Sequence, residues 1–348
     1  MLLDCVKYMD PNIPDLPIVR YDRQILIKNW DQENIRKSRV VIVGMGALGT
    51  IVSASLAMAG VGELILVDYD TIEITNLNRQ LLFHTEDVGK SKVKVGEEEL
   101  IRINPDLKVT ALDMKIQDVP TEVLESATVI VEGLDTFQDR RWINSYIIEK
   151  NIPLVSGGMF GFLGNLQVVQ PKVSACLECQ SLIPEEELQK ACTPFGEQRK
   201  QKRNDQPDSD KIPSVSSVSF VISGLMAQET LKIILDIPPI KDYLFWDGTA
   251  GVFTSVELAR REDCFVCSEE FQLNAILVSS AKDQLMREFI EQLRYSFNLG
   301  VEMKILLGAS TLQISEVKVN EILKSGDILR VIDPALSKPL KFKILLDT

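Results

Sequence analysis

The chain has 348 residues, six cysteines and one histidine, and its 50 acidic against 38 basic side chains give a formal charge of −12. This acidity argues against general nucleic-acid binding, because phosphate backbones are held chiefly by lysine and arginine. A single histidine excludes histidine-rich metal sites, and six cysteines are too few for a disulfide scaffold. The length suggests two domains. Residues 1–10 carry charges and no apolar run, so we expect a cytoplasmic protein.

The first strong structural pattern spans residues 39–68. A β-branched run at Val40–Val43 leads into a glycine turn, small residues follow at helical spacing, and Leu64–Val67 forms a second strand. This pattern predicts a βαβ unit and therefore a parallel sheet. The stretch from Val40 to Gly62 has no charge, but its glycines favour a strand, turn and buried helix over a membrane span. We expect no membrane partner.

The elements that follow alternate between strand and helix, which predicts a doubly wound α/β fold. Strands are expected at Val109–Leu112, Thr128–Glu132 and Ile152–Ser156, and helices at Lys90–Ile103, Asp139–Glu149 and Ser214–Leu235. A charged segment, Pro184–Asp210, is expected to be a surface loop. A boundary near Phe271 precedes a small α+β module. In that module we expect strands at Leu273–Ser279, Met303–Leu307, Thr311–Ile314, Ile328–Ile332 and Leu340–Leu346, and a helix at Ala281–Phe297.

A glycine motif joins the first strand to the first helix of this unit. Gly44, Gly46 and Gly49 lie where helix-terminal N–H groups favour phosphate. Asp68, at the end of the next strand, is the carboxylate expected to bind a ribose. The motif alone is compatible with NAD, FAD, ATP or S-adenosylmethionine.

The residues after Asp68 favour a nucleoside triphosphate. Several polar side chains follow in the stretch from Asp70 to Phe83, and two cations near a glycine turn suit a polyphosphate. A carboxylate at the end of a later strand is a candidate ligand for Mg²⁺. The candidate cofactor-binding residues are therefore Gly44, Gly46, Gly49, Asp68, Asp70, Asn76, Arg79, Gln80, Lys92 and Asp135.

The ordered motifs Y-D-R-Q, G-M-G-A-L-G, D-Y-D, N-L-N-R-Q, V-G-K-S-K and G-L-D-T resemble the ThiF/MoeB superfamily over roughly residues 20–270. Within it, G-L-D-T-F-Q-D-R-R-W-I-N and S-A-C-L-E-C look most like the catalytic subunits of ubiquitin-like activating enzymes. The resemblance implies a Rossmann-like adenylation domain in which Asp68 binds the ATP ribose. It also implies that Asn76, Arg79 and Lys92 contact phosphates and that Asp135 coordinates Mg²⁺. Arg23 would be an arginine finger, supplied by the opposite protomer in homodimeric relatives.

Two C-x-x-C pairs, Cys176/Cys179 and Cys264/Cys267, predict a closed tetrahedral zinc site with a structural role. A redox dithiol at either pair is the alternative, but it lacks the usual sequence context. In the resembled family the same paired cysteines bind structural zinc.

The remaining cysteines are Cys5, which we take as incidental, and Cys192 in A-C-T-P-F-G. A lone loop cysteine is by itself no indication of catalysis. The resemblance, however, implies that Cys192 is the thioester-forming nucleophile, since a C-T dipeptide at a similar distance from the second zinc cysteine marks it in ubiquitin-like activating enzymes. Nearby Arg199, Lys200 and Lys202 would favour its thiolate.

The resulting prediction is an enzyme of two domains. Residues 1–270 would form the adenylation domain, with a catalytic-cysteine loop at about 182–213. Residues 271–348 would form a ubiquitin-fold (β-grasp) domain that recruits a conjugating enzyme, with a generic dimerisation module as the alternative. The enzyme would use ATP, Mg²⁺ and Zn²⁺, act on a ubiquitin or ubiquitin-like protein and form a homodimer. Its rivals are a sulfur-carrier adenylyltransferase, a non-catalytic scaffold subunit and an NAD dehydrogenase.

Overall fold

The computed structural model describes residues 20–179, 213–262, 264, 266–268, 275–301, 303–307, 310–312, 316–333 and 340–347. Cys5, Cys192 and nearly all of the predicted cysteine loop lie outside these ranges. The first part contains α1 (Gln32–Lys37), β1 (Arg39–Val43), α2 (Ala47–Ala59), β2 (Glu63–Val67), α3 (Lys92–Ile103), β3 (Lys108–Leu112), α4 (Thr121–Glu125), β4 (Val129–Glu132), α5 (Phe137–Lys150), β5 (Leu154–Phe160), β6 (Leu163–Val169), α6 (Ser216–Ile234), β7 (Tyr243–Asp247) and β8 (Val252–Val256).

Within the described residues, eight strands form one sheet in the order β3-β2-β1-β4-β5-β6-β7-β8. The strands from β3 to β5 pair in parallel, as the βαβ pattern predicts. The pairs β5–β6, β6–β7 and β7–β8 are antiparallel, and the sequence did not reveal these three later strands. A tight turn at Gly161, whose φ is +58°, joins β5 to β6.

Apolar side chains alternate between the two faces of this sheet. On β1, Val40 and Ile42 pack with α2, α3 and α6, while Val41 and Val43 pack with α4 and α5. Helices therefore cover both faces, and the predicted doubly wound α/β class is confirmed. Helix α6 is long and apolar enough to cross a membrane, but half of its most apolar window is buried and Ser223 donates to the Leu48 carbonyl of α2 at 3.1 Å. It is a core helix.

The C-terminal residues form a second sheet with its own core. It contains β9 (Ile276–Ala281), α7 (Met286–Phe297), β10 (Lys304–Leu307), β11 (Ser310–Thr311), α8 (Val319–Ile322), β12 (Ile328–Ile332) and β13 (Leu340–Asp347). The strand order is β11-β10-β12-β13-β9, and the first strand pairs with the last in parallel. Phe289 on α7 packs against this sheet beside Phe342. The ubiquitin-fold assignment of this module stays a prediction.

The second sheet lies against the end of α5. Arg330 on β12 is 7% exposed, and its guanidinium contacts the carboxylate of Glu149. Burial lowers the pKa of Arg330 to about 10. A cation buried this deeply is normally paired, and this ion pair joins the C-terminal sheet to helix α5.

The glycine turn after β1 is compact because its residues touch one another. Gly44 has φ +90°, and its N–H donates to the Val67 carbonyl at 2.9 Å. A Cβ added at Gly49 would lie 1.9 Å from the Gly44 carbonyl oxygen, whereas a Cβ at Gly46 would have no heavy atom within 4 Å. Only glycine at position 49 allows the helix to start this close to the strand.

We predict that Gly49→Ala lowers the free energy of unfolding by about 3 kcal/mol, because the backbone oxygen cannot move away without opening the turn. Gly46→Ala is the matched control and should cost about 1 kcal/mol or less, as an unfavourable helix N-cap. Urea unfolding of both variants measures the difference. Equal losses would mean that the turn is not packed as described.

Candidate active site

Asp68 directly follows β2 and is fastened to the glycine turn. Its Oδ2 accepts a hydrogen bond from the Met45 N–H at 2.6 Å, and its Oδ1 accepts one from the Asp70 N–H at 2.8 Å. Burial raises the pKa of Asp68, and the charge of Lys92 opposes this shift. A carboxylate fixed beside a helix N-terminus is suitably placed to accept a ribose hydroxyl.

Lys92, the first residue of α3, pairs with Asp70. Its Nζ lies 2.7 Å from Asp70 Oδ2, and the Lys92 N–H donates to the Asp70 carbonyl at 3.1 Å. The side chain of Lys92 is 8% exposed, while that of Asp70 is about half exposed. The ammonium is therefore held in place at the same edge of the sheet as Asp68. A fixed cation here can bind a phosphate oxygen.

Four carboxylates lie near Tyr69. Burial raises the pKa of the Tyr69 hydroxyl, and the charges of Asp70, Asp139, Asp135 and Asp68 raise it further. Lys115 lies over the Tyr69 ring, with its Nζ 5.5 Å from the centroid. Carboxylate oxygens are the ligands that Mg²⁺ prefers, so the chemistry of this edge is compatible with the ion. The described carboxylates do not lie close enough together to form a metal cluster of their own, so Asp135 stays a single candidate ligand.

Asp135 is exposed and lies in the short loop between β4 and α5. Thr136, the next residue, caps α5 by accepting the Asp139 N–H at 3.2 Å. The loop also touches the glycine turn, because the Gly133 carbonyl oxygen would lie 3.2 Å from a Cβ at Gly44. Asp135 therefore lies in a loop that touches the glycine turn, and its role as a Mg²⁺ ligand stays a prediction.

The segment after Asp70 is held by its own polar groups. Asn76 is buried, and its Oδ1 accepts the Glu73 N–H at 2.9 Å. The Nη1 of Arg79 donates to the Thr75 carbonyl at 2.7 Å. Gln80 is 5% exposed, and its buried Oε1 has no hydrogen-bond partner among the described residues. An orphaned buried oxygen in this segment is consistent with a missing donor from a ligand.

Arg23 does not reach this site in its own chain. Its side chain is 89% exposed, and Gln24 beside it donates to the carbonyl of Ala59 at the last turn of α2. The glycine turn lies at the other end of that helix, which has 13 residues and is therefore about 20 Å long. An arginine side chain cannot span this distance.

The structure thus brings Asp68, Asp70, Lys92 and Asp135 to one edge of the sheet, with the glycine turn between them. Sequence reasoning missed Tyr69, Lys115 and Asp139, which lie at the same edge, and Glu132 and Arg140, which hold the loop of Asp135. The sequence V-I-V-E could have pointed to Glu132, because a charged residue there ends an apolar strand. No local pattern pointed to Lys115.

The four predicted zinc ligands come together in one buried cluster. Their sulfurs all lie within 4.8 Å of one another. The Sγ–Sγ distance is 3.6 Å for Cys176–Cys264, 3.8 Å for Cys176–Cys179 and 3.2 Å for Cys179–Cys267. Tetrahedral zinc with Zn–S bonds of about 2.3 Å places its sulfurs about 3.8 Å apart. The cluster therefore fits zinc closely.

The electrostatics of the cluster agree with this assignment. Hydrogen bonding with Cys176 lowers the pKa of Cys179, Cys264 and Cys267 to about 7, while hydrogen bonding with these three cysteines raises the pKa of Cys176. Thiols that ionise near neutral pH are ready to bind a metal.

Helix α5 anchors the first knuckle. Arg141 forms a two-pronged ion pair with Glu178, with Nε–Oε1 at 2.5 Å and Nη2–Oε2 at 3.3 Å. Asn144 Oδ1 accepts the Leu177 N–H at 3.0 Å. The knuckle is therefore fixed to the same helix that begins at the Asp135 loop.

Comparisons with known proteins identify the family. A sequence profile of the ThiF family matches residues 21–266. The chain belongs to the ThiF family. The ThiS adenylyltransferase of Escherichia coli K12 is 32% identical over 73% of this chain and 96% of its own length. This ThiF-family protein is therefore an ATP-dependent adenylyltransferase, and its matching region contains the whole nucleotide edge described above.

Two further proteins are similar to this chain. The NEDD8-activating enzyme E1 catalytic subunit of Dictyostelium discoideum is 27% identical, and the alignment covers 86% of both chains. Among solved structures, E. coli MccB with MccA-N7isoASN superimposes with a TM-score of 0.62 at 27% identity, covering 72% of this chain and 75% of that one.

We predict about one equivalent of zinc per chain in the purified protein, measured by inductively coupled plasma mass spectrometry. Cys264→Ser should lose most of this zinc and unfold at a lower temperature, because three thiolates cannot close the site. Cys5→Ser, the same substitution outside the described residues, is the control and should keep it. A wild-type zinc content below about half an equivalent would contradict the assignment.

Proposed function

We propose that this ThiF-family enzyme activates a ubiquitin or ubiquitin-like protein by adenylating its C-terminal carboxylate. The observation that carries the proposal is the length of similarity to the NEDD8-activating subunit. Residues 1–266 make up about three quarters of the chain, so an alignment over 86% of it must extend past the ThiF match into the C-terminal sheet. A relative limited to adenylation would not require that second sheet.

The first step joins the protein tail to AMP. The tail carboxylate attacks the α-phosphate, a carboxylate oxygen–phosphorus bond forms, and the bond to the departing pyrophosphate breaks. Asp68 holds the ribose, and Lys92 and Arg79 stabilise the negative charge that develops on the phosphates. Bound Mg²⁺ at Asp135 would supply further charge neutralisation for the triphosphate. The glycine turn forms one wall of the site. No side chain caps the N-terminus of α2, which follows this turn, and a helix N-terminus favours a phosphate group.

In the second step Cys192 takes the acyl group. Its thiolate attacks the acyl carbon of the adenylate, a thioester forms, and AMP leaves with the electrons of the cleaved acyl–oxygen bond. A conjugating enzyme recruited by the C-terminal module would then accept the acyl group on its own cysteine. The chain that contains Cys192 connects Cys179 in the zinc cluster to Pro213, whose carbonyl accepts the Gly161 N–H at 2.7 Å. One end of this segment is therefore anchored in the cysteine cluster and the other at the turn between β5 and β6.

We predict a reductant-sensitive adduct when the enzyme is incubated with Mg-ATP and a panel of purified ubiquitin-like proteins, then separated by non-reducing electrophoresis. Cys192→Ala should abolish the adduct while ATP–pyrophosphate exchange continues, because adenylation precedes thioester formation. Cys5→Ser should retain both. An adduct that persists in Cys192→Ala would refute the assigned nucleophile.

A sulfur-carrier adenylyltransferase is the second candidate, favoured by the 32% identity to the ThiS adenylyltransferase. The two candidates share every nucleotide contact and differ in the acceptor. If a sulfur-carrier protein supports pyrophosphate exchange and no ubiquitin-like protein forms an adduct, the sulfur-carrier function is the correct one.

The position of Arg23 supports a homodimer. It lies at the far end of α2 from the glycine turn, next to the exposed apolar side chains of Ile25, Leu26 and Ile27. Because Arg23 cannot reach the site of its own chain, we propose that it acts on the site of a partner copy in a symmetric dimer, as the resemblance to homodimeric relatives implies.

Mixing two inactive variants tests this arrangement. Arg23→Ala and Asp135→Ala each remove one group from every site, and a mixed dimer regains one complete site only if the arginine acts across the interface. After subunit exchange at equal amounts, about half of the dimers are mixed, and each mixed dimer has one complete site of its two. Pyrophosphate exchange should therefore recover to about a quarter of the wild-type rate. No recovery, in a mixture shown to exchange subunits, would refute an arginine that acts across the interface.

A further inference from the structure

A buried ion pair holds the loop that carries Asp135. Glu132, the last residue of β4, is completely buried. Its Oε2 accepts the Leu134 N–H at 2.9 Å, and its Oε1 contacts the Ser156 hydroxyl on β5. Arg140 Nη1 lies 3.2 Å from the same Oε1. One carboxylate thus joins the end of the strand, the neighbouring strand and the loop.

Arg140 holds the other side of the loop. Its Nε donates to the Leu134 carbonyl at 2.8 Å, and its Nη2 donates to the Gly157 carbonyl at 2.7 Å. Leu134 is therefore held through its N–H by Glu132 and through its carbonyl by Arg140. The peptide bond after Leu134 leads directly to Asp135, so the position of that carboxylate depends on these two contacts.

A gain in stability alone does not explain this buried ion pair well. Burying a charged pair costs several kcal/mol of desolvation per ion, and apolar replacements of similar shape are often as stable or more stable. The forked guanidinium, by contrast, fixes direction as well as distance, which a lysine cannot reproduce. The ion pair is therefore better explained by the geometry it imposes on the loop than by the stability it adds.

We propose that Glu132 and Arg140 are positioning residues that hold Asp135 in the orientation needed to bind the Mg²⁺ of Mg-ATP. The proposal rests on the proposed function of the site. It assigns no direct contact with the nucleotide to either residue, because both are occupied by the loop and by β5.

Arg140→Lys tests the proposal, with Arg141→Lys as the matched control. The two arginines are adjacent on α5 and have similar side-chain exposure, 21% and 19%, and each pairs with one glutamate. Arg141 pairs with Glu178 in the zinc knuckle, whereas Arg140 bonds to the Leu134 carbonyl in the Asp135 loop. Both variants should fold and lose similar stability, so any difference between them comes from the loop.

The readout is equilibrium binding of ATP at increasing Mg²⁺ concentration, followed by calorimetry with no protein substrate present. We expect Arg140→Lys to raise the Mg²⁺ concentration for half-maximal binding about tenfold. Binding of ATP measured in EDTA should be unchanged, and Arg141→Lys should match the wild type. In an Asp135→Asn background, Arg140→Lys should cause no further shift, because the ligand it positions is gone.

Hydrogen–deuterium exchange of peptides containing residues 133–136 provides the second measurement, in the absence of any nucleotide. Exchange should be faster in Arg140→Lys and Glu132→Gln than in Arg141→Lys. Equal Mg²⁺ dependence or equal exchange in the two arginine variants would overturn the proposal. A wild type that binds no Mg-ATP would instead overturn the proposed function, and the exchange comparison alone would then decide whether Arg140 holds the loop.

Discussion

The parallel pairing of β1 with β2 on one side and with β4 on the other fixes where the candidate nucleotide contacts lie. Val43 is in register with Val67 and with Glu132, so the three strands end at the same level. The chain then turns at Gly44, Asp68 and Gly133 along one edge of the sheet. Because parallel strands all end at the same edge, residues far apart in sequence meet there, although no sequence pattern links them to one another.

Helix α5 connects the nucleotide edge to the cysteine cluster and to the C-terminal sheet. Near its start Arg140 holds the Asp135 loop, in its middle Arg141 and Asn144 fix the first zinc knuckle, and at its end Glu149 contacts Arg330 of the C-terminal sheet. The nucleotide edge, the metal cluster and the C-terminal module are thus attached to one rigid element.

The strands and helices that the sequence predicted well are those with strong local patterns. The strand Ile328–Ile332 has the predicted bounds, and β1 and β2 differ by one residue, because β-branched runs bounded by glycine leave little ambiguity. The predicted start of the strand at Ile152 is wrong by two residues. Pro153 cannot donate to a ladder, and β5 begins after it at Leu154.

What the sequence could not reveal depends on tertiary contact. The hairpin strands β6 to β8 have exposed or mixed faces, and β8 is exposed along its whole length, so no alternation marks it. The four cysteines were predictable from spacing, but their anchoring by α5 was not, because Arg141 and Glu178 are 37 residues apart. Similarly, the candidate Mg²⁺ ligand Asp135 follows from a motif, whereas its support by Glu132 and Arg140 follows only from the folded arrangement of β4, β5 and α5.

We expect the edge formed by β1, β2 and β4 to bind a nucleoside triphosphate and not a dinucleotide. Competition binding tests this expectation most directly, with a fluorescent ATP analogue bound in the presence of Mg²⁺ and displaced in turn by ATP and by NAD. We predict that ATP displaces the probe and that NAD has no effect. Lys92→Ala should weaken ATP binding about tenfold, because a charge-assisted contact is lost. Displacement by NAD with an affinity equal to that of ATP would contradict this expectation.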